Sequence, residues 1–132
     1  MPHMTIEYAG GTKLIARRRS HHVLTDQPEA DGGQDAAMTP TELFIAALAT
    51  CAGYYAVTFA KRHSVPLDGM TIAVEYEYAH RPRRIASVAI HLNLPQPVDE
   101  QLRLGIEKSA EQCLVHNSLR QPPEVTFSVG DD

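Results

Sequence analysis

The stretch Thr39-Pro-Thr-Glu-Leu-Phe-Ile-Ala-Ala-Leu-Ala-Thr-Cys-Ala-Gly-Tyr-Tyr-Ala-Val-Thr-Phe-Ala60 decides how the rest of the chain must fold. It opens with a helix start. Thr39 suits the N-cap, Pro40 the first helical position, where a missing N–H costs nothing, and Glu42 the third. Thr-x-x-Glu is a capping box, in which each side chain bonds the other residue's backbone N–H. From Leu43 to Ala60 run 18 uncharged residues, followed by Lys61-Arg62-His63 at the negative end of the helix dipole and by Pro66. Eighteen residues touch the lower limit for a membrane span. The cap, the many small residues and the flanking amphipathic strands predict instead a buried core helix in a cytoplasmic protein, with no membrane partner.

A helix apolar on every side needs cover on more than one side. On its N-terminal flank, Met4-Thr5-Ile6-Glu7-Tyr8 alternates as a half-buried strand does, Gly10-Gly11 signals a turn, and Lys13 to Arg17 reads as the returning strand. A third short strand is predicted over His22 to Thr25. Asp26 to Met38, with Pro28, Gly32, Gly33 and four acidic residues, reads as a solvated loop. On the other flank, Ile72, Val74, Tyr76 and Tyr78 share one strand face, and Ala86, Val88, Ile90, Leu92 and Leu94 share another. The turn His80-Arg81-Pro82-Arg83 joins them as an antiparallel hairpin. Asp99 to Cys113 reads as a second helix with the stripe Leu102, Ile106, Ala110 and Cys113. Leu114 to Leu119 is a helical turn or loop, and Val125, Phe127 and Val129 mark a last strand.

The expected fold is therefore α+β: one domain over residues 1–132, with antiparallel strands packed on a long central apolar helix. A single sheet of about six short strands covers one side of that helix. The second helix takes the other side, or a homodimer packs two such helices together.

Composition narrows the function. The chain has 132 residues, 43% hydrophobic and 21% charged, which is ordinary for a folded domain. A net charge of -4, with Arg17-Arg18-Arg19 the one basic cluster, argues against a nucleic-acid partner. The start, Met-Pro-His-Met-Thr-Ile-Glu, has no apolar leader region. Seven histidines lack metal-ligand spacing, and adjacent His21 and His22 would point to opposite faces of a strand, so no metal or cofactor is expected. Neither a phosphate-cradling glycine motif nor a G-x-S-x-G elbow is present. What remains is Cys51, Cys113, the arginines and Glu42. Two cysteines in a reducing compartment read either as a redox pair or as two buried small hydrophobes.

Several motifs now bear on that choice. Pro40-Thr-Glu-Leu-Phe-Ile-Ala-Ala-Leu-Ala-Thr-Cys51 resembles the P-x-E-L-x-x-A-A-L-A-x-C signature of the OsmC/Ohr family, the osmotically inducible and organic hydroperoxide resistance proteins. Asp26-Gln27-Pro28 with Gly32-Gly33, His80-Arg81-Pro82-Arg83-Arg84, and Ala110-Glu-Gln-Cys113-Leu-Val-His-Asn-Ser-Leu119 resemble further family segments in the same order. The resemblance implies an intertwined α+β homodimer with the long helices at its centre. It also implies thiol-dependent reduction of organic hydroperoxides, with Cys51 as peroxidatic thiolate and Cys113 as resolving thiol. A lipoyl-type or other dithiol then reopens the disulfide. Phe44, Ala47, Leu48, Tyr54 and Tyr55 share the helix face of Cys51 at spacings of three, four and seven and are expected to line the substrate pocket.

Two positions differ from the family's reductases. Thr41, not an acidic residue, follows the proline, and Glu42 lies about 13 Å along a continuous helix from Cys51, half a turn off its face. Glu42 either orients an arginine or serves only the cap. The family's hairpin arginine has no counterpart after Gly10-Gly11; Arg18 is the candidate to stabilise the thiolate, unless it is a solvated strand end. Leu114 also replaces the usual proline after the second cysteine. A binding protein for a small apolar ligand, or a redox sensor using the same cysteines, remains alongside the peroxidase.

Overall fold

The computed structural model describes residues 1–131. It groups into two compact units, Met1–Ala46 and a second beginning at Ala47, and the long helix runs through the boundary between them.

In the first unit, β1 (Thr5–Tyr8), β2 (Leu14–Arg18) and β3 (His21–Thr25) form an antiparallel sheet in that order. Thr5 lies opposite Arg17, and Arg18 opposite His21. The β1–β2 turn needs its glycines: Gly10 and Gly11 sit at φ 91° and 57°, where a Cβ is strained. All four β1 residues are exposed, Ile6 and Tyr8 included, so the expected half-burial of this strand is not met within the unit. Alternation records which face a strand offers to a neighbour, not whether a neighbour covers it.

The Asp26–Met38 segment is more ordered than a solvated loop. Asp26 is 1% exposed, and its carboxylate accepts from Thr12 Oγ1 at 2.5 Å and from the Gln34 and Ala36 N–H groups at 3.1 and 3.0 Å. A single 3-10 turn, Glu29–Asp31, follows. The segment folds back so tightly that a Cβ on Gly33 would lie 1.9 Å from the Gln27 carbonyl oxygen, which only glycine avoids. The segment then enters α1 (Pro40–Arg62) through the predicted cap. Glu42 accepts from the Thr39 N–H at 2.8 Å, and Thr39 Oγ1 accepts from the Glu42 N–H at 3.1 Å.

The second unit is built on the remainder of α1. Leu48, Ala52, Ala56 and Ala60 recur at spacings of four and make one buried stripe. By length and composition α1 could cross a bilayer, but this stripe makes it a core helix. It stops in a Schellman arrangement: the Val65 N–H donates to the Ala60 carbonyl at 2.9 Å, with Ser64 in the left-handed region at φ 56°. Val65 and Ala60, both buried, supply the apolar contact that accompanies this cap.

Strands β4 (Thr71–Ala79) and β5 (Arg84–Asn93) form a long two-stranded hairpin. Ile72, Val74 and Tyr76 pair with Leu92, Ile90 and Val88 on the half-buried face. The register shifts at Glu77/Tyr78: Glu77 opposes Ser87, Tyr78 opposes Ile85, and Ala86 is left as the bulged residue. Ala86 is consequently exposed and Ile85 takes the inward position, which corrects the face read from strict alternation. Tyr78 is also exposed, with the Arg83 guanidinium 4.9 Å above its ring.

Helix α2 (Glu100–Glu111) is capped by Asp99, which accepts from the Leu102 N–H at 2.8 Å. Ile106 and Ala110 are buried against α1 and Leu102 is partly so. The predicted helix is too long at its end. Gln112 leaves helical geometry and Cys113 is extended, at φ -68° and ψ 148°, where it caps a separate helix, α3 (Leu114–Arg120). Its thiol takes the place of a capping oxygen, which the apolar stripe could not distinguish from a core position.

Two further expectations fail. The strands form a three-stranded and a two-stranded sheet in place of one sheet of about six. No strand forms at Val125, Phe127 and Val129, which are 65%, 93% and 100% exposed. A strand exists only through a ladder with another strand, and this segment meets none among the described residues. The α+β class itself holds, with antiparallel sheets and one long central helix.

Candidate functional site

The two cysteines share one core cluster. Cys51, in the fourth turn of α1, is half-buried and packs against the core cluster to which Cys113 belongs. Both are free thiols. Cys113 is fully buried at the α2–α3 junction, and its sulfur accepts from the His116 N–H at 3.3 Å. Burial pushes the Cys113 thiol up from its ordinary pKa. The His116 N–H opposes that shift, and the neighbouring Cys51 adds to it. A negative charge on Cys51 and one on Cys113 therefore disfavour each other, and Cys113 keeps its proton.

Beside the pair lies a cavity of about 530 Å³ between β5, α1, α2 and α3. Its floor is apolar: Leu48 and Ala52 of α1, Val88, Ile90 and Leu92 of β5, Ile106 and Ala110 of α2. Cys113 and His116 also line it, as do His91, Arg103, Glu107 and Glu111. Cys113, not Cys51, contributes the thiol to this lining.

The expected pocket face divides in two. Leu48 and the partly buried Tyr55 turn inward, and Leu48 lines the cavity. Ala47 and Tyr54, the latter 62% exposed, lie to the other side of Cys51, and Phe44 is exposed as well. Cys51 sits at the seam because spacings of three and four diverge to either side of one helix position. Glu42 is held by its capping bond to Thr39. Arg18 is exposed at the end of β2 in the first unit. His116, Arg103 and Glu107 were not singled out from sequence. His116 stands within the Ala110–Leu119 motif, three residues after Cys113, and that spacing from a cap residue was the available signal. Arg103 and Glu107 look like any solvated α2 positions. Among the described residues, no three His, Cys, Asp or Glu side chains converge as a metal site would need.

The family model for OsmC-like proteins matches residues 32–128, most of the chain and both cysteine segments. The chain belongs to the OsmC-like protein family. Solved structures with the same fold include a Psychrobacter arcticus 273-4 protein assigned provisionally to the osmotic-stress-induced and detoxification response. It is 26% identical with a TM-score of 0.83, covering 89% of this chain and 88% of that one. An organic hydroperoxide resistance protein, OsmC, from Legionella pneumophila is 19% identical with a TM-score of 0.67 over 89% of each chain. A protein of Vibrio cholerae O1, provisionally described as an organic hydroperoxide resistance protein and holding captopril in one of its active sites, is 18% identical with a TM-score of 0.66. That match covers 91% of this chain and 85% of that one. No curated protein matches this OsmC-like sequence significantly.

Proposed function

We propose that this OsmC-like chain is a cofactor-free thiol peroxidase that reduces organic hydroperoxides, acting as a homodimer in cytoplasmic defence against oxidative stress. The observation that carries the reading is the packing of two free thiols, 62 positions apart in sequence, in and against one core cluster, one half-buried and one fully buried. Cys51, the less buried of the two, is the attacking thiol in this reading. Its thiolate attacks the terminal peroxide oxygen, the O–O bond breaks, and the alkoxide leaves as the alcohol after taking a proton. Cys51 is then a sulfenic acid. Cys113, held protonated until needed, attacks the Cys51 sulfur, forming the S–S bond and releasing water. A dithiol reductant of lipoyl type, or another thiol, reopens the disulfide by exchange and carries away two electrons as its own disulfide. Glu42 serves the helix cap in this reading. The neighbours described as hydroperoxide resistance proteins support the same chemistry.

The test mixes reduced protein with cumene hydroperoxide and dihydrolipoamide and follows peroxide loss beside Cys51→Ser. Turnover is expected in the wild type and a loss of at least about 100-fold in the variant. Wild-type turnover no faster than that of Cys51→Ser sinks the reading. The apolar cavity favours a second one, a binding protein that holds a small apolar ligand without turnover. Under that reading the purified protein retains such a ligand and peroxide loss stays at background.

A further inference from the structure

The Cys113 sulfur has two roles in the reduced chain. It is the resolving thiol of the proposed cycle, and it is the N-cap of α3. The residue is extended, at φ -68° and ψ 148°, and its sulfur accepts from the His116 N–H at 3.3 Å. Little else holds α3 in place. It runs for seven residues, Leu114–Arg120, and none of them is buried. Val115, partly buried, packs against the core cluster. A helix so short is marginal without its cap and its tertiary contacts. Two side chains also tie it back to the end of α2: His116 Nδ1 lies 3.0 Å from the Glu111 carbonyl oxygen, and Asn117 Nδ2 donates to the Gln112 carbonyl at 3.4 Å. Both ties run to the two residues just before Cys113, so they depend on the path the chain takes there.

Closing a disulfide disturbs that path. Both cysteines are free thiols, so an S–S bond must draw their sulfurs together. Cys51 lies inside the 23-residue α1, held by the helix's own backbone bonds and flanked by the buried Leu48 and Ala52. Cys113 lies in the non-helical link between α2 and α3. The movement falls to the weaker element, and it takes the sulfur away from the His116 N–H. Cys113 is 0% exposed, which gives an incoming dithiol no approach from that side while α3 stays in place.

We propose that the redox state of the cysteine pair sets the order of α3: the Cys113 thiol latches the helix in the reduced protein, and the Cys51–Cys113 disulfide releases it. This inference rests on the peroxidase reading and adds a regulation to its site. The cycle balances through the reactants already named. One organic hydroperoxide takes two electrons from the two thiols and leaves as alcohol and water while the S–S bond forms. The dithiol returns two electrons by exchange and becomes its own disulfide. Both cysteines regain their protons, and Cys113 caps α3 again.

Hydrogen exchange of the full chain, read by mass spectrometry before and after one equivalent of cumene hydroperoxide, tests this, with free-thiol titration to count closure. The Leu114–Arg120 amides are expected to exchange at least about fivefold faster in the disulfide form, the size expected of a lost cap, while those of Pro40–Arg62 change by less than about twofold. Equal α3 exchange in the two forms overturns the inference. An acceleration of the same size in α1 does so too, because it marks general loosening. Cys113→Ser keeps a capping oxygen but cannot form the disulfide, so its α3 is expected to stay protected with and without peroxide. Loss of that protection on adding peroxide to the variant also overturns the latch. Dihydrolipoamide is expected to slow α3 exchange again in the wild type as the thiols reappear. If titration finds both wild-type thiols still free after peroxide, the peroxidase reading falls and takes this inference with it. A disulfide that forms while α3 stays protected removes the inference alone.

Discussion

The Asp26 carboxylate carries its charge where almost no water reaches it, and three donors make this tolerable. The Thr12 hydroxyl, then the Ala36 N–H, hold its pKa well below the ordinary carboxylate range, against the opposing pull of burial. The folded pKa is depressed, so the stabilisation is fully present above about pH 4, where a free aspartate is ionised, and is lost as pH falls toward the folded value. Asp26→Asn removes the charge while keeping the shape. We expect it to lower the thermal midpoint by roughly 5 °C at pH 7. The gap between variant and wild type should narrow as the pH falls below about 4. A gap that is constant from pH 7 to pH 3 in thermal melts would contradict this account. At Cys113 burial prevails instead, and the sulfur favours its neutral thiol form.

Between elements, the closest approach of α1 and α2 is set by one glycine. A Cβ on Gly105 would fall 2.2 Å from the Phe59 ring tip and within 2.9 Å of the two carbons beside it. Phe59 has little room to yield, because it stacks on His63 with centroids 4.0 Å apart. Gly105→Ala brings two opposed effects. Helix propensity gains about 1 kcal/mol, and overpacking costs about 1–3 kcal/mol. The clash is expected to win, with net destabilisation of about 1 kcal/mol read by urea denaturation. In a Phe59→Leu background the clash is relieved, and the same alanine should then stabilise. A glycine that acted only through propensity would give the same gain in both backgrounds.

For the molecule as a whole, the open side of α1 poses the question of assembly. Phe44, Ala47, Cys51 and Tyr54 follow one another at spacings of three, four and three, the pattern of a helix–helix seam. Phe44 and Tyr54 are 40% and 62% exposed in the single chain. We propose that a second copy covers this seam, which also places the helix carrying Cys51 at the centre of the dimer. Light scattering is expected to give twice the 14.6 kDa chain mass. Tyr54→Glu, by setting a charge in the seam, should shift the particle toward the single-chain mass. A wild-type protein that runs as a monomer at micromolar concentration would remove the dimer.

The sequence by itself determined where α1 begins, because Thr39, Pro40 and Glu42 act on neighbours within one turn. It likewise determined the β4–β5 hairpin and the buried positions Ile106 and Ala110 of α2, since periodicity is a local record of burial. The OsmC-like motifs located both cysteines. Only the tertiary structure decided that Asp26 is buried, that Ala86 is a bulge, and that Cys113 ends one helix to cap another. It alone put the cavity beside Cys113. Each of these depends on groups far apart in sequence: Thr12 with Asp26, Val88 with Ile106, Cys51 with Cys113. A periodic pattern says which side of an element seeks cover, while the identity of the covering group is fixed by the packing of the others.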